Sequence, residues 1–197
     1  MSEIKVNKIS PSSGTAFTLG DSGDTFTLPS GATIVNSGTA TGFGGGKIGQ
    51  CLTTQNTDVE STTSTSFATI SDLSRAITPA ASSSKILVIS SLETAHSPNH
   101  LLYRLMRDTT AIGVGDSSGS TTPCSFSMYE GGSSEGMACW SHSFTWLDSP
   151  STTSEVVYSW NWRTDSGTTY LNRSEDGSDH ANYPRCASSI TCMEILA

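Results

Sequence analysis

Charged side chains are scarce in this sequence of 197 residues, and basic ones are the scarcest. Lysine and arginine contribute 10 residues against 18 aspartates and glutamates, so the formal net charge is -8. The basic residues form no cluster along the chain, and little is therefore present to attract a phosphate backbone. The sequence predicts a protein without a nucleic-acid partner.

Long apolar runs are also missing. No segment approaches the roughly 20 apolar residues that a membrane-spanning helix needs, and the first residues lack the basic and apolar regions of a signal peptide. We therefore expect a soluble, non-secreted protein with no membrane partner.

Groups that carry metal or catalytic chemistry are few. The five cysteines form an odd set with no C-x-x-C pair, which predicts reduced thiols rather than disulfides. His96 and His100 have helical spacing, but Ser-Pro-Asn between them predicts a turn. No G-x-S-x-G motif occurs, and glycines 44–46 lack phosphate-loop spacing. Asn172 begins a glycosylation sequon, which matters only in a secreted eukaryotic protein. We expect no enzyme, no metal and no cofactor.

Serine and threonine supply about a third of the chain, with 18 glycines besides. This composition favours short strands joined by tight turns over long helices. After residue 47, segments with strand character recur at residues 48–55, 66–70, 73–78, 85–92, 100–107, 111–115, 125–129, 138–147, 155–164, 168–172 and 188–196. Their number and spacing predict an all-β protein with a jelly-roll-like antiparallel β-sandwich head over residues 48–197. Residues 85–92 form an unbroken aliphatic run, which predicts a central strand buried on both faces.

The first 42 residues predict an extended β arm, joined to the head by a glycine-rich hinge at residues 43–47. Turns are expected at residues 20–24 and 29–31. A small repeat places alternate apolar residues on one stripe: Phe17, Leu19, Phe26, Leu28 and Ile34. These are too few to fold alone, so either three copies about a common axis or another protein must bury the stripe. Otherwise the arm is a disordered tail.

Aromatic side chains alternate in two of the predicted strands. One set is Trp140, Phe144 and Trp146, and the other is Tyr158, Trp160 and Trp162. Alternation places each set on one face of its strand, and core filling is the favoured interpretation. The alternative is an exposed platform for sugar rings or a neighbouring subunit, with Trp160 and Trp162 as the recognition residues.

Several stretches resemble tail-fibre and virion-surface proteins of marine and cyanobacterial tailed phages. In the arm the matching stretches are residues 4–9, 14–19 and 26–32, and in the head they are residues 84–88, 104–107, 112–116, 144–150 and 190–195. The more specific elements are Leu147-Asp148-Ser149-Pro150 and Met193-Glu194-Ile195. The matches span nearly the whole chain.

The resemblance implies an N-terminal attachment segment, a homotrimer and a distal β-sandwich. We interpret the chain as a non-enzymatic virion protein of short fibre type on the tail, assembled in the bacterial host cytoplasm. Residues 1–42 would bind other virion proteins, and the head would face outward towards a host-surface glycan. A capsid decoration (cement) protein is the alternative, and a free glycan-binding module or polysaccharide-cleaving enzyme is a third. The chain lacks the long shaft of a typical tail fibre, so the resemblance does not decide between a position on the tail and one on the capsid.

Overall fold

The computed structural model describes residues 13–14, 18, 21–25, 27, 29–32, 47–96, 100–129 and 136–196, without the side chain of His96. The chain divides into two units, Met1–Phe43 and Gly44–Ala197. In the first unit, Asp24 donates its backbone N–H to the carbonyl of Asp21, and Ala32 donates to Pro29. These bonds close two tight turns at the predicted places. The predicted arm contacts lie outside the described residues: Phe17, Leu19, Phe26, Leu28 and Ile34.

The second unit is built from eleven strands, and the described residues contain no helix. The strands are β1 (Ile48–Asn56), β2 (Glu60–Thr62), β3 (Ala68–Ile77), β4 (Lys85–His96), β5 (His100–Arg107), β6 (Thr110–Ile112), β7 (Phe126–Tyr129), β8 (Trp140–Asp148), β9 (Val156–Thr164), β10 (Thr169–Leu171) and β11 (Ser188–Ile195). Within the described part of the chain, nothing helical is long and apolar enough to cross a membrane.

The strands form two antiparallel sheets. In the first sheet β4 pairs with β11 and β10 along one edge and with β8 along the other, while β1 and β2 pair outside β11 and β10. In the second sheet the order is β3, β9, β5, and then β6 and β7 on the far edge of β5. Both sheets contribute to one hydrophobic core. The prediction of an all-β, sandwich-like antiparallel head is confirmed.

The aromatic residues of β9 are among the largest fully buried side chains of the core. Trp160 and Trp162 are 0 % and 1 % exposed, and Tyr158 is buried beside them. The indole N–H of Trp160 donates to Ser90 Oγ of β4 at 3.0 Å, which ties the two sheets together. The core-filling interpretation therefore holds for this strand. The alternative, in which Trp160 and Trp162 form a recognition surface, is wrong, because side chains at inward positions of a central strand cannot reach an external ligand.

The aromatic residues of β8 have a different environment because β8 is an edge strand. Trp140 and Trp146 remain exposed, although they share the inward face of β8 with Phe144. Phe144 meets the ring of Trp160 edge-on, with centroids 5.5 Å apart. Trp146 lies over Gly113, where an added Cβ would come within 3.0 Å of the indole. Core filling is thus only partial here, since an edge strand has a neighbour on one side alone.

Strand β4 is central, as predicted, but the expectation of burial on both faces is wrong. Its inward residues Ile86, Val88 and Leu92 are fully buried, whereas Lys85 and Ile89 are exposed. In a two-layer sandwich each sheet keeps an outer face, so the outward positions of a central strand are normally polar. The aliphatic residues at those positions in β4 therefore need a separate explanation.

Candidate interaction surface

An apolar row crosses the outer face of the first sheet. Its members come from β1, β11, β4 and β8 in that order, and each is paired in register with the next: Cys51, Met193, Leu87 and Leu147. Directly paired residues of antiparallel strands point to the same side of the sheet. The four side chains therefore lie next to one another, away from the core.

Three further apolar residues enlarge this row. Ile89 is two residues beyond Leu87 on β4, and Ile48 pairs with Ile195 at the end of β11. Ile48, Ile89 and Leu147 are 59 %, 39 % and 48 % exposed. We call the whole set the outer-face patch: Ile48, Cys51, Leu87, Ile89, Leu147, Met193 and Ile195. A contiguous exposed apolar surface of this kind marks an interaction site more often than a scattered apolar residue does.

The border of the outer-face patch carries hydroxyls and the positive charge of Lys85. Ile89 pairs with Thr191 on one side and with Thr145 on the other, and Thr191 shares a 2.9 Å hydrogen bond with Thr53. Lys85 pairs with Ile195 at the opposite end. An apolar centre with a polar border is the usual anatomy of a protein interface.

A partly buried ionic network lies on the inward side of β8, next to Leu147. Asp148, at the end of β8, accepts two hydrogen bonds from Arg107 Nη1 at 2.9 and 3.0 Å. It also accepts one from the Tyr158 hydroxyl at 2.6 Å. Burial raises the pKa of Tyr158, and the bond to Asp148 raises it further, so the hydroxyl keeps its proton and donates. Because Arg107 and Tyr158 belong to the second sheet, the network fixes the strand that presents Leu147.

A second inward carboxylate supports the other side of the patch. Glu194 lies between Met193 and Ile195 on β11 and accepts hydrogen bonds from Gln50 Nε2 at 2.8 Å and from the Ala80 backbone N–H at 2.6 Å. Burial opposes ionisation, but these hydrogen bonds outweigh it and hold the pKa of Glu194 below its usual value. Both specific elements of the phage resemblance thus combine an inward carboxylate with outward patch residues.

Asn172 is a structural residue rather than a glycan acceptor. It is fully buried, and its amide donates to the backbone carbonyls of Asn56 and Asp58 at 2.9 Å each. Its side-chain oxygen accepts a 2.7 Å hydrogen bond from Ser188 Oγ. The residue joins the turn after β1 to the start of β11, and the folded head leaves no room for a sugar on its nitrogen.

Metal-ligating side chains converge at one place among the residues that the structure describes: Glu93, Cys139 and Cys186. All five cysteines are free thiols. The ring of His100 packs against that of Tyr129 at a tilt of 33°, with centroids 4.6 Å apart. The side chain of His96, the other member of the histidine pair, lies outside the described residues. Sequence spacing did not reveal the three-residue cluster, because its members are more than 40 positions apart and meet only through strand pairing.

No family model matches the chain, and no curated protein matches it.

Proposed function

We propose that this chain is a non-enzymatic structural protein of a tailed-phage virion, a short homotrimeric fibre-type protein on the tail. In this proposal residues 1–42 bind other virion proteins and the β-sandwich is displayed as the head. The observation that carries the proposal is the outer-face patch on a head that already has a complete core of its own.

The order of the strands supports a jelly roll. With the short β2 and β10 set aside, β1, β11, β4 and β8 make up one four-strand layer. Strands β3, β9 and β5, with β6 and β7 end to end along the last edge, make up the other. The chain passes from one layer to the other at almost every connection. Jelly rolls of this kind are typical of viral coat proteins and lectins.

The uncharged outer-face patch is a surface where copies of the chain can meet despite their like net charge. Each copy carries a formal net charge of -8, so copies repel one another unless they meet at a surface without carboxylates. The outer-face patch contains only uncharged side chains, and the charged residue paired at its end is Lys85. A positively charged partner would bind better to an acidic surface of this chain than to the uncharged outer-face patch. Three patches around a common axis would bury the exposed apolar groups of all three chains.

We expect Leu147→Glu to abolish the trimer. The substitution places a carboxylate within an apolar interface, and three copies bring three such charges into it. Leu147 points outward and is about half exposed in the single chain, so the sandwich should keep its β-sheet circular dichroism spectrum. Sedimentation equilibrium should give three times the 20.7 kDa chain mass for the wild type and one chain mass for the variant.

Val59→Glu is the matched control. Val59 is 53 % exposed and lies between β1 and β2, outside the outer-face patch. This variant should sediment as a trimer. If Leu147→Glu also sediments as a trimer, the patch is not the contact between copies and the proposal fails at its supporting observation.

A further inference from the structure

Two thiols and a carboxylate converge on the outer face of the first sheet, towards the end of β4 away from the outer-face patch. Glu93 lies on β4, Cys139 directly precedes β8, and Cys186 precedes β11 by two residues. One ligand atom from each residue lies within 4.8 Å of the others, and all three residues are half-buried. The cluster therefore spans three neighbouring strands of the sheet.

We propose that Glu93, Cys139 and Cys186 form a binding site for Zn²⁺ or a chemically similar divalent transition-metal ion. Two thiolates and one carboxylate are a donor set that zinc accepts, whereas calcium and magnesium require oxygen ligands throughout. Three protein ligands leave the fourth tetrahedral position for water.

The spacing of the ligand atoms suits a tetrahedral ion after a small adjustment. With zinc–sulfur bonds of about 2.3 Å, two sulfur ligands lie about 3.8 Å apart. In the structure the ligand atoms lie within 4.8 Å of one another, which exceeds the tetrahedral spacing by at most about one ångström. Side-chain rotation covers this distance without movement of the strands.

The backbone around the cluster is held in place. The backbone N–H of Glu93 donates to Ser188 Oγ at 3.0 Å, and the backbone carbonyl of Glu93 accepts from the Asn172 N–H at 2.8 Å. Cys186 donates its N–H to the carbonyl of Asn172 at 3.0 Å. Glu93 and Cys186 are thus held by hydrogen bonds to Ser188 and to the buried Asn172, which limits the ordering that metal binding requires.

Two hydroxyls orient the carboxylate. Ser141 Oγ donates to Glu93 Oε1 at 2.6 Å, and Ser91 Oγ donates to the same oxygen at 3.0 Å. Both donors use Oε1, and no donor to the other carboxylate oxygen is found among the described residues, so that oxygen can bind an ion. Hydrogen bonds of this kind to a ligand carboxylate are typical of metal sites and tune their affinity.

The test is titration of the full chain with Co²⁺ as a spectroscopic substitute for zinc, in the presence of a non-thiol reductant. We expect one ion per chain, with thiolate-to-cobalt charge-transfer absorption and the intense visible bands of four-coordinate cobalt. Addition of Zn²⁺ should displace the cobalt and raise the melting temperature. Cys139→Ser and Cys186→Ser should each lose the charge-transfer absorption, and Ser141→Ala should bind about ten-fold more weakly.

Cys124→Ser is the control, because Cys124 is another half-buried free thiol and lies outside the cluster. It should titrate like the wild type. The proposal is overturned if the wild type shows no charge-transfer absorption, or if both cluster variants keep it while retaining the wild-type circular dichroism. It is also overturned if Cys139 and Cys186 are already cross-linked in protein isolated without reductant.

Discussion

Replacement of Asn172 by aspartate is expected to destabilise the head by about 3–5 kcal/mol, the loss typical of an uncompensated buried charge. Aspartate has the same shape and tolerates the left-handed backbone found here, where φ is 59°. The change therefore removes the hydrogen bonds donated by the side-chain nitrogen without altering the shape of the side chain or the backbone conformation. An oxygen would replace the nitrogen that donates to the carbonyls of Asn56 and Asp58, so two favourable contacts become repulsive.

Thermal unfolding followed by circular dichroism measures this effect, and a fall in the melting temperature of about 6–20 °C is expected for a chain of this size. Asn182→Asp is the control, since Asn182 is exposed and the same chemical change should move stability by less than about 0.5 kcal/mol. Equal melting temperatures for Asn172→Asp and the wild type would show that the amide is not the link between β1 and β11.

Asp148→Ala is expected to cost about 3 kcal/mol, because it leaves the buried Tyr158 hydroxyl and the Arg107 guanidinium without their shared acceptor. Tyr158→Phe removes only one donor and should cost about 1–2 kcal/mol. Denaturant unfolding measures both values. Asp116→Ala, at an exposed loop position, should leave stability nearly unchanged.

The double variant Asp148→Ala/Tyr158→Phe distinguishes a network from two independent contacts. If the two residues act through their mutual hydrogen bond, the double variant should lose at least about 1 kcal/mol less than the sum of the single losses. Strict additivity would contradict the account of Asp148 as the acceptor that joins the two sheets beneath Leu147.

The strand pattern was predictable where apolar residues alternate or run together. The bounds of β5 are those predicted, and β1, β7, β8, β9 and β11 differ from prediction by only one or two residues at either end. Strand β2 was missed because Glu60–Thr62 contains no apolar residue, and it forms only by pairing with β10. Two segments were predicted where the single strand β3 forms, because Asp72, with a φ of 54°, and a register shift interrupt its alternation.

The position of a strand within its sheet could not be predicted from alternation. The aromatic sets of β8 and β9 look alike in sequence, yet β9 is central and β8 is an edge strand. For the same reason the expectation for β4 was wrong, because alternate residues of its aliphatic run lie in two different environments. Ile86 and Val88 fill the core, whereas Leu87 and Ile89 belong to the outer-face patch.

The polar supports of the surface were also beyond local sequence patterns. Asp148 and Glu194 face inward among apolar neighbours, and their partners Arg107 and Gln50 are distant along the chain. The cluster of Glu93, Cys139 and Cys186 has the same origin. Such contacts depend on tertiary pairing. One local sequence feature accompanies these inward carboxylates: each directly follows an outward apolar residue, as in Leu147-Asp148 and Met193-Glu194.

The proposal that a tailed phage encodes this chain as a virion protein is tested most directly by reconstruction of that phage's intact particles, with the capsid and the tail both resolved. We expect three-fold heads on the tail, each fitted by three copies of the sandwich with Leu87, Ile89 and Leu147 facing the axis. Particles that lack this protein, or that carry it as single chains with the outer-face patch open to solvent, would contradict it.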